Sequence, residues 1–513
     1  MVTAAKSKCY VVLEPSDQLR RIYFSDEHPF EDDKPVPADV IKGVKNLIEE
    51  KLYLVGPGLL ADTPFEVIEL PSRRVRPLVL LDRGHGTDSG QQEYPRTEDG
   101  TGKGRTENAE PRADPAGGGE VKIFDPRNGA GRVVIVLEIA DRRKVRRFFS
   151  ALQATDLGSD YGSSVDLPIT AMEHWCPKKG TNSLFGDRDA ANRLIRASSL
   201  KIPMDFEPLP VNIVIVDEGL IEDRIPAGTN FQGGWPIEGR QPGQAASRHG
   251  SMVMRNALSF ARNVKLYDCP LLPPSISDLR AFLSLAQTTY EMLYNQIALM
   301  RQKEDASWII VNAWGVHNRR DDLSSSWEQN YGENPNSPFN QLFSEADESH
   351  PERRRKDIDI VFAAGNCGGF CPSPRCGGTD RGPGRSIHGA NCHRDVLTVG
   401  AARTDGMWLG YSAQGPGQRR MSRAKPDVCA SSQFGEVGDF SPNGSNTGTS
   451  AACGLAAGAV AAIRNRKTVG VLSPKKLRAR LRETAWMPEA EAENEAEAAR
   501  RFGSGIIDLE KAL

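Results

Sequence analysis

The chain has 513 residues, with 65 Lys and Arg set against 67 Asp and Glu, and 39% hydrophobic residues. A net charge of −2 excludes a protein whose affinity comes from neutralising nucleic-acid phosphates. No run of about 18 uncharged apolar residues is present, which excludes a membrane-spanning helix, so neither nucleic acid nor membrane is an expected partner.

At about 150 residues per domain, the length allows two or three domains, or one large domain with additions. The N-terminus, MVTAAKSKCYVVLEPSDQLRR, lacks a basic stretch followed by a long apolar one, so no export signal is expected. Nine cysteines, an odd number, then read as reduced thiols in a cytoplasmic protein.

Residues 1–84 read as an α+β region. Residues 10–13 have strand character, and so do residues 78–81. Residues 40–54 have helical spacing, with Val40, Ile41, Val44, Leu47 and Ile48 on one face. Between Gly86 and Glu120 there is no Val, Ile, Leu, Met, Phe or Trp. Such a stretch cannot bury enough apolar surface to offset its conformational entropy, so 85–121 is expected to be a disordered linker or long exposed loop, a tolerated insertion rather than a protease-sensitive hinge. Residues 132–139 form a strong strand pattern and 142–152 a basic helix, within a second α+β part spanning 122–207.

From about residue 208 to 513 the pattern changes. Short apolar strands at 211–216, 264–267, 308–312, 358–363 and 396–399 alternate with helical patterns at 251–261, 277–302, 340–348 and 450–464. That alternation predicts an α/β domain with a mainly parallel sheet, whose reactive groups sit at the carboxyl ends of strands. The insert 277–305, a long helical pattern, is expected to line or extend a substrate cleft.

Three such ends carry suitable chemistry. Asp217 closes the first strand, and a carboxylate there needs a partner such as a histidine N–H. His249 opens a helix in Ser247-Arg-His-Gly-Ser-Met-Val253. Ser450 lies in Gly448-Thr-Ser-Ala-Ala452, where free helix N–H groups favour negative charge. Taken singly, each is more simply a turn or cap residue. The order Asp, His, Ser within one α/β pattern is that of subtilisin.

The chain thus resembles the subtilisin-like serine peptidases (family S8) over roughly three-fifths of its length, from about 208 to 513. Asp217-Glu218-Gly219 matches D-[ST]-G with Glu218 as a departure, and His249-Gly250-Ser251-Met252-Val253 matches H-G-[ST]-x-[VA]. Gly448 to Ala452 matches G-T-S-x-A, with Gly454 where a proline is usual. Ala364-Gly365-Asn366, Val396 to Ala401, Tyr411 to Pro416, Lys425 to Val428 and Gly503 to Asp508 match further family segments.

The resemblance implies a subtilisin-like three-layer domain and hydrolysis of peptide bonds through an acyl-enzyme. In that scheme Ser450 is the nucleophile, His249 the proton carrier and Asp217 its orienting partner, while Asn366 and the Ser450 N–H stabilise the oxyanion. Ile310-Val-Asn-Ala313-Trp314-Gly315 resembles the strand that pairs with extended substrate, against the plainer reading of a core strand. No cofactor is expected, calcium is a family possibility without a site that the sequence numbers, and no metal ligands are assigned.

Other readings stand beside this one. The fold could be catalytically idle and bind peptides, with Glu218 and Gly454 as hints. An α/β-hydrolase esterase would need a G-x-S-x-G motif, which is absent, and a Glu-Asp-Ser peptidase is disfavoured by the His249 motif. Cys367, Cys371, Cys376 and Cys392, with His388 and His393, fit zinc, a disulfide or free loop thiols; free thiols are favoured. Cys429 and Cys453 read as core fillers, and 489–497 as a solvated acidic run. His85, His174 and His317 are unassigned. Residues before about 200 have two readings: they restrain or target the peptidase in cis, with the linker as a convenient place to be cut, or they form an accessory domain unrelated to activity, and the second is favoured.

Overall fold

The computed structural model describes residues 9–13, 38–55, 65–67, 79–80, 135–139, 144–155, 163–165, 167–176, 183–198, 206–237, 239–272, 283–319, 322, 330–345, 357–439, 444–489 and 494–513. The expected linker at 85–121 lies outside them.

The N-terminal elements alternate as β1 (Cys9–Leu13), α1 (Ala38–Val55), β2 (Phe65–Val67), β3 (Val79–Leu80), β4 (Ile135–Ile139), α2 (Val145–Gln153) and β5 (Ser163–Val165). Four of the strands form an antiparallel sheet in the order β2-β4-β1-β5. Leaving β3 aside, this is a β-α-β-β-α-β unit. The helical face read from the sequence is the buried one: Val40, Val44, Leu47, Ile48 and Leu52 pack inward, and Phe65 meets Phe148 with ring centroids 5.3 Å apart. β3 leaves this unit and pairs antiparallel with the edge strand of the large sheet.

After β6 (Thr170–Ala171) and α3 (Arg188–Leu194) the large domain begins. Its strands are β7 (Val211–Val216), β8 (Asn230–Gly234), β9 (Val264–Cys269), β10 (Ser307–Asn312), β12 (Ile358–Ala363), β13 (Leu397–Ala402) and β14 (Val428–Ser431), with β11 (Trp314–Gly315) standing apart. The sheet order is β14-β13-β12-β10-β7-β9-β8-β3, with seven parallel strands and β3 as its antiparallel edge. Its helices are α4 (His249–Ala257), α5 (Leu283–Arg301), α6 (Pro338–Gln341), α7 (Gly448–Arg464), α8 (Pro474–Thr484), α9 (Glu495–Phe502) and α10 (Leu509–Ala512).

The central strands are continuously apolar because both faces are covered. Val211, Ile213 and Ile215 of β7 join Ile309 and Val311 of β10 in the layer that holds α4 and α7. Val214 and Val216 join Trp308 and Ile310 in the opposite layer, with α5 and the N-terminal unit. Each fully buried Val or Ile contributes about 1.5–3 kcal/mol. These are the three layers expected from the sequence.

Some expectations need correction. The helix expected at 340–348 is the four-residue α6, started by Pro338. Strands β8 and β14 were not read from the sequence. β8 carries one bulky apolar side chain and ends in two glycines; a Cβ at Gly234 would stand 1.7 Å from the Asp268 carbonyl oxygen. The long helix α5 is buried on most of its surface, as a core helix is, and the Leu283 N–H at its start donates to the carbonyl of Leu167, another core residue (3.0 Å). Packing of the large domain also takes in residues before 208: Ala191 and Leu194 of α3 join its core.

Candidate active site

The carboxyl end of β7 delivers Asp217, which is fully buried and accepts a hydrogen bond from the Glu218 N–H at Oδ1 (2.7 Å). His249 opens α4, and its Nδ1 lies 2.6 Å from the same Oδ1. Its Nε2 lies 2.9 Å from Oγ of Ser450, in the first turn of α7. The three sequence-derived residues therefore meet, from elements far apart in the chain.

Glycines allow this approach. A Cβ at Gly250 would stand 2.3 Å from the Gly219 carbonyl oxygen, and Gly219 itself has φ +93°. Ser251 Oγ accepts from the Ile221 N–H (3.0 Å), tying the turn after Asp217 to the helix that carries His249. Gly454, in place of the expected proline, lies where α7 crosses α4: a Cβ there would be 2.7 Å from the Asn256 Cβ and from the Val253 carbonyl oxygen. The helix runs unbroken through it, so the departure packs the site rather than loosening it.

Asn366 follows β12 and is fully buried. Its Oδ1 accepts from both the N–H and the hydroxyl of Thr449, each at 3.0 Å. With the oxygen so held, the Nδ2 donor turns toward the cleft. The sequence motif contains Thr449 but does not reveal this orienting task.

The cleft is filled by the chain itself. β6 pairs antiparallel with β11, Ala171 opposite Trp314 and Thr170 opposite Gly315. The Met172 N–H donates to the Ala313 carbonyl (2.8 Å), and the Met172 carbonyl accepts from Asn366 Nδ2. The Met172 side chain enters the space left by Gly315, where a Cβ would stand 2.6 Å from its Cε. Beyond it the backbone crosses Gly448, so that a Cβ there would be 2.1 Å from the Met172 carbonyl oxygen and 2.9 Å from the His174 nitrogen. The Cys176 N–H then donates to Gln433 Oε1 (3.0 Å).

Both sequence readings of 313–315 have a part in this arrangement. The backbone lines the cleft, while the Trp314 ring is buried in the core beside Phe339 and Phe362. Two unassigned histidines belong to this arrangement. His317 Nδ1 hydrogen-bonds Thr170 Oγ1 (2.7 Å), and His174 lies within it. No motif marked residues 170–176 beforehand, because a two-residue strand has no periodicity to read.

Electrostatics at the site are set by crowded carboxylates. Burial works against charge on His249, but Asp217, followed by Glu218 and Glu173, outweighs it and lifts its pKa to about 9. Burial raises the Glu218 carboxyl. Asp268, one residue past the strand expected at 264–267, is pushed up to about 7 by burial; it accepts from the N–H groups of Leu220 (2.9 Å) and Gly243 (2.8 Å) behind Asp217. Burial lowers His317 to about 3, so it is neutral at pH 7.

The cysteines correct one expectation. Cys367 and Cys376 form a disulfide, so the free-thiol reading fails for this pair. Cys371 lies by Trp175, and Cys392 is buried against Ser422 and Gln418. Among the described residues no group of three or more Cys, His, Asp or Glu is placed to hold a metal ion. Cys429 and Cys453 are buried.

A model of the subtilase family matches residues 232–505, taking in His249, Asn366 and Ser450 and beginning after Asp217. No curated protein matches the sequence. Among solved structures, MycP1 from the ESX-1 type VII secretion system is similar at 17% identity, covering 68% of this chain and 91% of that one, with a TM-score of 0.42. MycP1 from Mycobacterium smegmatis gives 17%, 68%, 89% and 0.41, and the serine protease of Aeromonas sobria 17%, 60%, 60% and 0.39. The family match spans more than half of the 513 residues, and the chain belongs to the subtilase family of serine peptidases.

Proposed function

We propose that the protein is a serine endopeptidase working through Asp217, His249 and Ser450, and that its first substrate is its own Met172–Glu173 bond. The observation that carries this is the seating of Met172. Its N–H is on the Ala313 carbonyl and its carbonyl on Asn366 Nδ2, beside a Ser450 that contacts His249. An extended peptide on an edge strand, with its carbonyl on a side-chain donor, has the geometry of a bound substrate.

The chemistry uses protein groups and water. Ser450 Oγ adds to the Met172 carbonyl carbon as its proton passes to His249 Nε2. The oxyanion is held by Asn366 Nδ2 and the Ser450 N–H. The bond from that carbon to the Glu173 nitrogen breaks, and His249 returns the proton to the departing amine. Water, deprotonated by His249, then hydrolyses the Met172–Ser450 ester and releases the Met172 carboxylate.

Until that cut, residues 170–176 keep other peptides out, so the N-terminal region acts on the peptidase in cis. The geometry favours Met172–Glu173 over the linker as the place of cutting. Mapping new N-termini in purified protein beside Ser450→Ala tests this. A chain beginning at Glu173 in the wild type alone supports it, and an intact wild-type chain that also resists a fluorophosphonate probe overturns it.

A further inference from the structure

The segment from Cys367 to Cys376 starts one residue after Asn366, is closed by the disulfide, and reaches both sides of the Met172–Glu173 bond. Before the bond, Arg375 Nη1 donates to the Ala171 carbonyl (3.4 Å). After it, His174 Nε2 lies 2.9 Å from the Cys371 carbonyl oxygen, and Cys371 Sγ donates to the Trp175 carbonyl (3.8 Å). A carbonyl can only accept, so Nε2 carries the hydrogen, and burial lowers the His174 pKa, which favours the neutral ring. The His174 ring also stands edge-on to Tyr411, at 5.4 Å between centroids.

The loop is anchored to the reaction centre. The Ser373 N–H donates to the backbone carbonyl of Asn366 (2.8 Å), Gly368 to Tyr411 (2.8 Å), and Gly377 to His317 (3.1 Å), the histidine that holds Thr170. A Cβ at Gly368 would stand 2.4 Å from the Ser412 carbonyl oxygen, so the loop lies hard against the body of the domain. The disulfide shortens the path between Asn366 and Arg375 and removes the freedom that an open loop of this length would have.

We propose that this disulfide-closed loop is a clamp on the peptide backbone, with Arg375 and Cys371 as positioning residues on opposite sides of the scissile bond. The proposal rests on the reading of residues 170–176 as a bound substrate. It assigns the site a substrate class: extended peptides whose second residue after the cut carries a neutral N–H donor able to reach the Cys371 carbonyl.

The test needs no catalysis. Hydrogen–deuterium exchange of residues 170–176 is measured in the full chain carrying Ser450→Ala, alone and combined with Arg375→Ala or with Cys367→Ser and Cys376→Ser. Each combination is expected to speed exchange at 170–176 about three- to tenfold, with β12 unchanged. Unchanged exchange at 170–176 in the Arg375→Ala chain overturns the clamp, and so does an increase there that extends equally into β12. If the cysteine variant does not fold, the arginine variant decides. Fluorophosphonate labelling of wild type reads the peptidase assignment separately. A wild type that neither cuts itself nor labels, with the exchange result intact, rejects the peptidase and leaves a peptide-holding loop.

Discussion

The side-chain amide of Asn366 donates to the main-chain carbonyl of Met172, 194 positions earlier in the chain. That contact places a carbonyl of the N-terminal region where a reacting carbonyl would sit, with Thr449 fixing the donor from behind. Asn366→Ala is expected to slow both the self-cut and hydrolysis of added peptide by about 100–1,000-fold, mainly in kcat. Thr449→Val keeps the donor but loses part of its orientation, and is expected to cost about tenfold. Rates from mass spectrometry of the cut chain check both; an Asn366→Ala chain that cuts at the wild-type rate contradicts the assigned donor.

The pH dependence follows from His249. Its pKa, raised from 6.5 to about 9, keeps the ring charged at neutral pH, and a charged ring cannot take the Ser450 proton. The rate of the first cut is expected to rise with pH toward about 9 and then level off. Because the folded pKa is the higher one, the stability that this charge contributes is fully present below pH 6.5 and is lost as pH rises through about 9. Glu218→Gln removes one carboxylate and is expected to shift the rate profile to lower pH. Single-turnover cutting between about pH 6 and 10 reads this, and an unmoved profile counts against Glu218.

Met172 occupies the space beside Gly315 and is 3% exposed. Met172→Leu conserves volume and is expected to be cut within about tenfold of the wild-type rate. Met172→Asp brings an unpaired charge into that space and is expected to slow the cut at least about 100-fold. The measurement is the fraction of chain beginning at Glu173 over time; equal rates for the two variants would show that this side chain is not read.

Gly454 sets the spacing between the helices that carry His249 and Ser450. Gly454→Val meets Asn256 and the Val253 carbonyl at 2.7 Å from its Cβ alone. A loss of about 1–3 kcal/mol is expected, or about 2–4 °C in Tm per kcal/mol for a domain of this size. Fluorophosphonate labelling should slow with it, since the His249 to Ser450 distance of 2.9 Å depends on this helix contact. An unchanged Tm would mean that the neighbours give way freely.

Much of the large domain was legible from local pattern. Val211–Val216 and Ile358–Ala363 are strands with the bounds that the apolar runs suggested, because buried parallel strands are continuous hydrophobic runs closed by turn residues. The Asp217, His249 and Ser450 segments were legible because glycines at 219, 250 and 448 meet steric demands that few other residues satisfy. β8 and β14 were missed, one for lack of apolar content and the other for brevity. Asp268 directly follows the strand expected at 264–267, but its role as a buried acceptor depends on the N–H groups of Leu220 and Gly243, which come from other segments.

Local pattern along the chain is enough to specify the family, the layered α/β architecture and which three side chains are candidates for shared chemistry. Each of these rests on short segments whose spacing and small residues are constrained by local sterics. The tertiary structure alone decided that residues 170–176 lie in the cleft, that Met172 meets Asn366, and that Cys367 pairs with Cys376. Those contacts join segments through single hydrogen bonds, a two-residue strand and one covalent bridge, and such pairings leave no periodic trace along the chain.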